Sequence, residues 1–306
     1  MSPQHTPTIS SQGLCKRYGK VEALRSASLE VERGEIFGLI GPDGAGKSTL
    51  LRILATLLRA DSGQAAVEGL DVVRDFRAIR SRLGYMPGRF SLYQDLSVEE
   101  NLNFFAAIFS VAVRESYPLI WDIYRRLEPF RRRRAGKLSG GMKQKLALCC
   151  ALIHKPSVLL LDEPTTGVDP ISRKEFWEIL AQLRRQNMAI VVATPYMDEA
   201  LRCDRIALMK EGAFLKIETP KNIISRFPQT LWSVQGDPMY RLLTDLRRHE
   251  DIISAYAFGD AHHVAVRSGR ISTLQLAENL KTLRYANVEV KEIQPTIEDC
   301  YIMVNG

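Results

Sequence analysis
The chain has 306 residues, 45% of them hydrophobic and 25% charged, with a formal net charge of +7. This is ordinary globular composition with enough apolar residues for two domains, and it excludes a disordered or collagen-like chain. The five cysteines (Cys15, Cys149, Cys150, Cys203 and Cys300) show neither disulfide-framework nor CxxC spacing, and no apolar run reaches the ~18 residues of a membrane span, so the expectation is reduced thiols in a cytoplasmic protein without a leader or spanning segment.

Charge is unevenly shared. From Gln229 onward, 8 Lys/Arg stand against 10 Asp/Glu, so the preceding residues carry an excess of +9. A basic front suits nucleotide, nucleic acid, an anionic membrane surface or an acidic partner. The run Arg131-Arg132-Arg133-Arg134 reads as a solvated loop.

In chain order, short strands at Cys15–Tyr18 and Ala27–Val31 precede Ile36–Ile40, a continuous apolar run ending at Gly41, as expected of a buried parallel strand. A helix is predicted over Lys47–Leu58, a strand over Leu83–Met86, and helices over Val98–Val111 and Met142–His154. Strands follow at Val158–Leu161, Ile190–Ala193 and Ile206–Met209. After Ala193, Thr194 reads as an N-cap and Pro195 as the first residue of a helix. Strand and helix alternate, which predicts an α/β fold around a mostly parallel sheet. The pattern changes near Arg226-Phe227-Pro228-Gln229, predicting domains 1–228 and 229–306. Beyond it, strands at Trp232–Val234, Ile252–Phe258, His263–Arg267 and Val288–Ile293 interleave with helices at Met239–Arg248 and Ile271–Leu283, and a tail helix starts near Thr296. That order is β-α-β-β-α-β, an α+β ferredoxin-like motif. His262-His263 has no cysteine or carboxylate at ligand spacing and is read as non-metal.

The chemistry begins at Gly41-Pro42-Asp43-Gly44-Ala45-Gly46-Lys47-Ser48-Thr49, which fits G-x-x-x-x-G-K-[ST] between a strand and a helix. Glycines let successive N–H groups ring a β-phosphate, and the helix N-terminus adds positive potential. Lys47 can reach the β- and γ-phosphates of ATP, and Ser48 can offer its hydroxyl to Mg²⁺. Asp43 is a complication, since a carboxylate beside a triphosphate is repelled unless local backbone donors hold it. Val158-Leu159-Leu160-Leu161-Asp162-Glu163 places two carboxylates at the C-terminal end of a strand, where open α/β sheets bind ligands. Asp162 suits a hold on Mg²⁺ through water, and Glu163 suits polarising the attacking water. Leu138-Ser139-Gly140-Gly141-Met142 opens a helix and forms a second phosphate site, which one nucleotide cannot use unless a second copy supplies it.

Phosphate loop, LSGGM, VLLLDE and Thr165-Thr166-Gly167-Val168-Asp169, in that order, resemble the nucleotide-binding cassette of ABC transporters from about Thr8 to Phe227. The remainder, above all Gln294-Pro295-Thr296-Ile297-Glu298-Asp299-Cys300-Tyr301, is similar to the accessory domain behind ABC-2-type efflux ATPases of the daunorubicin-resistance type. The resemblance implies a P-loop NTPase fold with antiparallel β and helical subdomains. It implies a head-to-tail dimer enclosing two ATPs, in which Ser139, Gly140 and Gly141 serve the partner subunit's ATP and Asp169 bridges the subunits. Tyr18 falls where an aromatic stacks on adenine, and Tyr85–Asn101 falls where a coupling helix of a separate membrane permease docks. The partner cassette is a second copy or a different one, and the expected location is the inner face of the cell membrane. The competing class, non-transport ABC ATPases on ribosomes or DNA, has two cassettes per chain or long heptad insertions; this sequence shows one cassette and no heptads, so no nucleic-acid partner is expected.

Two positions depart from the family's pattern. Tyr85-Met86-Pro87-Gly88 has Gly88 where the family reads glutamine, and Thr194-Pro195-Tyr196-Met197-Asp198-Glu199-Ala200 has Pro195 where it reads a γ-phosphate-sensing histidine. Gln94 is out of register as a substitute for the first. Proline lacks both a side-chain donor and an N–H. Both losses fall on the site built around this chain's own phosphate loop, so the expectation is sound MgATP binding with slowed hydrolysis.

Overall fold
The structure is a computed structural model and describes residues 6–89, 91–267 and 269–305. The chain divides into compact units Met1–Pro220 and Lys221–Gly306. The division precedes the predicted change at Pro228 because Ile223 is buried and its carbonyl accepts from the Cys300 thiol, which assigns the short helix there to the second unit.

The first unit opens with β1 (Ile9–Tyr18) and β2 (Val21–Val31), both longer than predicted, then β3 (Ile36–Ile40) and α1 (Lys47–Leu54). Helix α1 ends short of Leu58, and Thr56 beyond it has φ +60. There follow β4 (Ser62–Val67), β5 (Leu70–Asp71), α2 (Phe76–Arg80) and β6 (Leu83–Met86). Next come α3 (Val98–Ile108), α4 (Val113–Tyr124), α5 (Gly140–Leu152) and β7 (Val158–Asp162). The unit closes with α6 (Pro170–Arg185), β8 (Ala189–Thr194), β9 (Arg205–Lys210) and β10 (Ala213–Glu218).

Two sheets result. The antiparallel sheet has order β2-β1-β4-β5, and the central sheet has order β10-β9-β3-β8-β7-β6, parallel except for the β10–β9 pair. Strands β3, β7 and β8 are buried throughout, which explains why they read as unbroken apolar runs rather than alternating ones. Phe37, Leu39, Leu160 and Val191 join Leu50, Leu51 and Leu54 of α1 and Leu14, Leu24 and Leu29 of the antiparallel sheet in one core. Helix α1 is therefore clamped between two sheets, and α6 packs on β3 and β8. Helices α3, α4 and α5 pack on one another. Helix α3 starts with a reciprocal capping box between Ser97 and Glu100.

The second unit contains α7 (Pro220–Ser225, entered from the boundary residue), β11 (Thr230–Asp237), α8 (Met239–Arg248), β12 (Ile252–Phe258), β13 (Ala261–Val266), α9 (Thr273–Thr282), β14 (Ala286–Ile293) and α10 (Ile297–Asn305). Its sheet is antiparallel in the order β12-β13-β11-β14, with the first and third strands central, as the β-α-β-β-α-β order requires. Trp232, Val234, Leu242, Leu246, Val264 and Leu276 form its own core. On the other face, the fully buried Asp299 of α10 accepts from Tyr256 Oη, His263 Nδ1 (2.6 Å) and the Thr296 amide and hydroxyl (2.6 Å each). Both histidines of the His262-His263 pair are thus engaged within the fold, since His262 Nε2 meets Met239 O at 2.9 Å.

Burial pushes the Asp299 pKa up, but hydrogen bonds from Thr296, Tyr256 and His263 outweigh it and hold the carboxyl below its ordinary range. Its stabilisation is therefore present above the unfolded pKa and is lost as pH falls through the folded one. Asp299→Asn is expected to weaken the docking of α10 by about 2 kcal/mol at neutral pH. Hydrogen exchange of the α10 amides measures this, and the difference from the unmodified chain closes as the solution is acidified.

Candidate functional site
The parallel sheet sets the geometry of the site. Strands β3, β8, β7 and β6 are neighbours in that order, with Ile40 paired to Thr194, Ala193 to Asp162 and Leu161 to Met86. Their C-terminal ends therefore present, side by side, the loop from Gly41, then Pro195, then Asp162 and Glu163, then Gly88. Ligands of open α/β sheets bind at such ends.

Residues Gly41 to Gly46 form the turn between β3 and α1, and Lys47, Ser48 and Thr49 are the helix's first residues. The Gly41 N–H donates to Thr194 O (3.4 Å), and Gly212 N–H donates to Ala45 O (3.1 Å), so the turn is braced from both sides. Gly46, with φ +101, is the helix cap, and a Cβ there would stand 2.3 Å from Ala23 O; no other residue fits. No side chain caps α1, so the N–H groups of its first turn are left for an anion. Lys47 is buried at the turn, its Nζ donating to Gly41 O (2.7 Å) and Pro42 O (2.9 Å). Burial lowers its pKa, against the raising influence of Glu163, Asp43 and Asp162. Asp43, with Pro42 and Gly44, is exposed, and its charge acts favourably on the Lys47 ammonium.

Ser48 Oγ donates to Asp162 Oδ1 at 2.8 Å, bringing together residues 114 positions apart. Asp162 is buried, and burial raises its pKa despite Ser48, Arg52, Lys47 and a hydrogen bond from the Gly88 backbone. A hydroxyl and a desolvated carboxylate of raised proton affinity form a hard-oxygen donor pair that fits Mg²⁺. Glu163 has φ +50, a strained conformation for a non-glycine residue, fixed by its N–H donating to Ala193 O (2.8 Å). Its carboxylate accepts from the Thr166 hydroxyl at 3.4 Å.

Tyr18 ends β1 with 46% of its surface exposed, so its ring is free to stack rather than committed to the core. The hairpin that carries it also carries Ala23, the neighbour of Gly46. Ser139 is the exposed N-cap of α5, accepting from Met142 N–H (3.4 Å). Gly140 lies so close to Gly167 that a Cβ would stand 2.9 Å from its carbonyl, and a Cβ on the buried Gly141 would meet Ser172 Oγ at 2.5 Å. These glycines thus let α5 approach the Thr165–Asp169 loop closely. Asp169 caps α6, accepting from Ser172 N–H at 2.9 Å. Its carboxyl is held below the usual range by that bond and others from Ser172.

Thr194 and Pro195 do not start a helix as the sequence predicted. Thr194 remains in β8, its hydroxyl donates to the buried Glu199 (2.6 Å), and a 3-10 turn begins only at Met197. Pairing with Ile40 in the parallel ladder keeps Thr194 in the strand, and its hydroxyl caps only a short turn by accepting from Tyr196 N–H (3.1 Å). Gln94 packs against Gly136, its carbonyl accepting from the Gly136 N–H (2.9 Å), and is thereby engaged in the segment before LSGG. Sequence reasoning missed Arg52, whose charge acts on Asp162, and Glu199, which bonds to Thr165 as well as Thr194. In sequence Glu199 stands beside a second acid, Asp198, and nothing local shows that Glu199 is the buried one of the two.

A phosphate loop, a hydroxyl–carboxylate pair and a strained glutamate on adjacent parallel strands define a nucleoside-triphosphate-binding α/β cassette. Residues 24–166 match the family model described as ABC transporter. The chain is 47% identical over 218 residues to the probable multidrug ABC transporter ATP-binding protein YbhF of Escherichia coli K12, covering 70% of this chain but only 38% of that protein. It is 32% identical over 308 residues to the daunorubicin resistance ATP-binding protein DrrA2 of Streptomyces coeruleorubidus, covering 97% of this chain and 95% of the relative. Among solved structures, an ATP-binding subunit of an ABC transporter aligns with a TM-score of 0.65 at 27% identity, over 72% of this chain and 93% of its own. The chain belongs to the ABC transporter family of ATP-binding proteins.

Asp162 carries a burial penalty. Its raised pKa means that ionisation costs stability as pH rises through the window between the unfolded and folded values. Asp162→Asn is therefore expected to raise the melting temperature without nucleotide by about 2–4 °C, the equivalent of ~1 kcal/mol. The same variant should lose the extra stabilisation that Mg²⁺ adds to ATP, as read by thermal unfolding with and without chelator.

Proposed function
We propose that this protein is the ATP-hydrolysing subunit of an ABC-2-type export system, acting on a separate membrane permease. The observation that carries the reading is the row of strand ends: phosphate loop, residue 195, Asp162–Glu163 and Gly88 face one place on one sheet. The loop amides and Lys47 hold the phosphates of ATP, and Ser48 with Asp162 holds Mg²⁺, which neutralises charge on the phosphates when bound. Tyr18 stacks on the base. Glu163 accepts hydrogen-bonding from the attacking water and orients it. Ser139 and Gly140, exposed at the start of α5, serve the nucleotide of a partner subunit in a head-to-tail dimer, either homodimer or heterodimer, with Asp169 at the junction. The relative DrrA2 is named for daunorubicin resistance and YbhF for multidrug transport, which supports export as the direction.

Among the described residues, no helix is long and apolar enough to cross a membrane. A cleft of about 430 Å³ between β6, α3 and α5 supports docking of the permease. Leu57, Tyr85, Pro87, Leu92, Phe105 and Ile108 line it, within and beside the Tyr85–Asn101 segment; Phe90 lies outside the described residues. Ile108 is 57% exposed there. Ile108→Asp is expected to abolish co-purification with the permease while altering stability by no more than about 0.5 kcal/mol. MgATP affinity should be unchanged.

Gly88 and Pro195 flank the carboxylates, one strand away on each side. Neither offers a side-chain donor, so the proposed hydrolysis is slow. Restoring the donors with Gly88→Gln and Pro195→His is expected to raise turnover by about 10- to 100-fold, since a single positioned donor is worth ~10²–10³. The gain falls short of the full value because a Cβ at position 88 would press 3.2 Å from Asp162 O. Steady-state phosphate release measures it, and brisk hydrolysis by the unmodified homodimer would overturn the proposed impairment.

A further inference from the structure
We propose that Glu199 is a positioning residue for ATP hydrolysis: one buried carboxylate that holds the loop carrying Glu163 against the strand end carrying residue 195. The inference rests on the hydrolytic reading above. Glu199 lies in the 3-10 turn Met197–Arg202 and is 3% exposed. Its two oxygens accept hydroxyls from two different segments. Oε1 takes Thr165 Oγ1 at 2.7 Å, and Oε2 takes Thr194 Oγ1 at 2.6 Å. Both threonines are fully buried. Thr165 is two residues beyond Glu163, and Thr194 immediately precedes Pro195.

The backbone explains why such a tie is needed. The β7–β8 ladder pairs residues as far as Asp162 with Ala193, and a last bond runs from Glu163 N–H to Ala193 O. Past that point Glu163 turns to φ +50 and the chain leaves the sheet. Beyond the ladder, the spacing between the two tips is set by the Thr165–Glu199–Thr194 bridge. The Thr194 hydroxyl also accepts from Tyr196 N–H (3.1 Å), which orients its own hydrogen toward Glu199. Arg173 of α6 supplies compensating charge, its Nε 3.7 Å from Oε1, with its guanidinium 4.2 Å above the Tyr196 ring. Gly167, two residues past Thr165, is in close contact with Gly140, so the same bridge also backs the LSGG segment.

A bridge that sets spacing makes a different prediction from a charge that merely balances Arg173. Aspartate keeps the charge but is too short to reach both threonines. Thr165→Val and Thr194→Val each remove one hydroxyl with little change of shape. The test measures equilibrium MgATP binding and single-turnover hydrolysis, with full-length protein in excess over γ-labelled ATP, for Glu199→Asp, Glu199→Gln, Thr165→Val and the Glu199→Gln/Thr165→Val double variant. A misplacement of about 1 Å can cost ~10²-fold in rate. The expected result is a hydrolysis rate about 10- to 100-fold lower in Glu199→Asp and Glu199→Gln, with MgATP affinity within about threefold of the unmodified chain. Thr165→Val should add little in the Glu199→Gln background, because both changes break one bridge.

An unchanged rate in Glu199→Asp, or additive losses in the double variant, would overturn the proposal. So would parallel loss of MgATP binding, which marks a general structural role. If the Glu199 variants do not fold, Thr165→Val decides by the same two readouts. Unmodified protein that binds MgATP but never splits it would overturn the hydrolytic reading itself, and the bridge's role with it.

Discussion
The site depends on the hydrogen-bond ladder of a parallel sheet. Adjacent strands lie about 4.8 Å apart, so the ends of β3, β8, β7 and β6 form a fixed rack on which each chemical group has one slot. No flexible loop needs to bring Lys47, Asp162 and Glu163 together; the ladder does so as the sheet forms. The apolar bulk of β3, β7 and β8 thus serves function directly, because burial on both faces leaves the strands no freedom to shift register. The core that clamps α1 extends this rigidity to the phosphate loop, whose turn is braced by Thr194 on one side and Gly212 on the other.

That rack makes the two departures from the family pattern interpretable together. Gly88 and Pro195 occupy the slots on either side of the carboxylates, so the same small volume loses donors from two directions. The Gly88 backbone still contributes, through a hydrogen bond to Asp162. In the proposed reading, what has changed is the equipment for orienting a water, whereas the residues proposed to hold phosphate and metal are all present. Glu163 retains its strained backbone, and strain of that kind persists only where surrounding structure enforces it.

The phosphate loop was readable from sequence because its signal is local: nine contiguous residues with a strand before and a helix after. The central strands were readable because full burial writes itself as a continuous apolar run. By contrast, β4 (SGQAAV) has small and polar residues that carry no clear period, and helices α4 and α6 were not anticipated among denser motif signals. The start of a helix at Pro195 was misread for a physical reason. Thr194 has the chemistry of an N-cap, and its hydroxyl does accept from Tyr196 N–H, but pairing with Ile40 holds its backbone in the sheet and the residues beyond form only a 3-10 turn. Contacts such as Ser48 with Asp162 span over a hundred residues, and the sequence suggested that pairing only indirectly, through the Mg²⁺ that each was read to hold. In the second unit, the order of elements was legible, but the role of Asp299 as the common acceptor for Tyr256, His263 and Thr296 required the fold.

Helix α1 has no side-chain cap, and its first-turn amides have only a phosphate to satisfy them in the proposed complex. The nucleotide then completes a secondary structure element that the polypeptide leaves unfinished at the centre of the core. Ligand binding of this kind adds RT ln(1 + [L]/Kd) to the folding free energy. In the proposed complex, resistance to unfolding, and to proteolysis of the opened chain, therefore rises with nucleotide concentration.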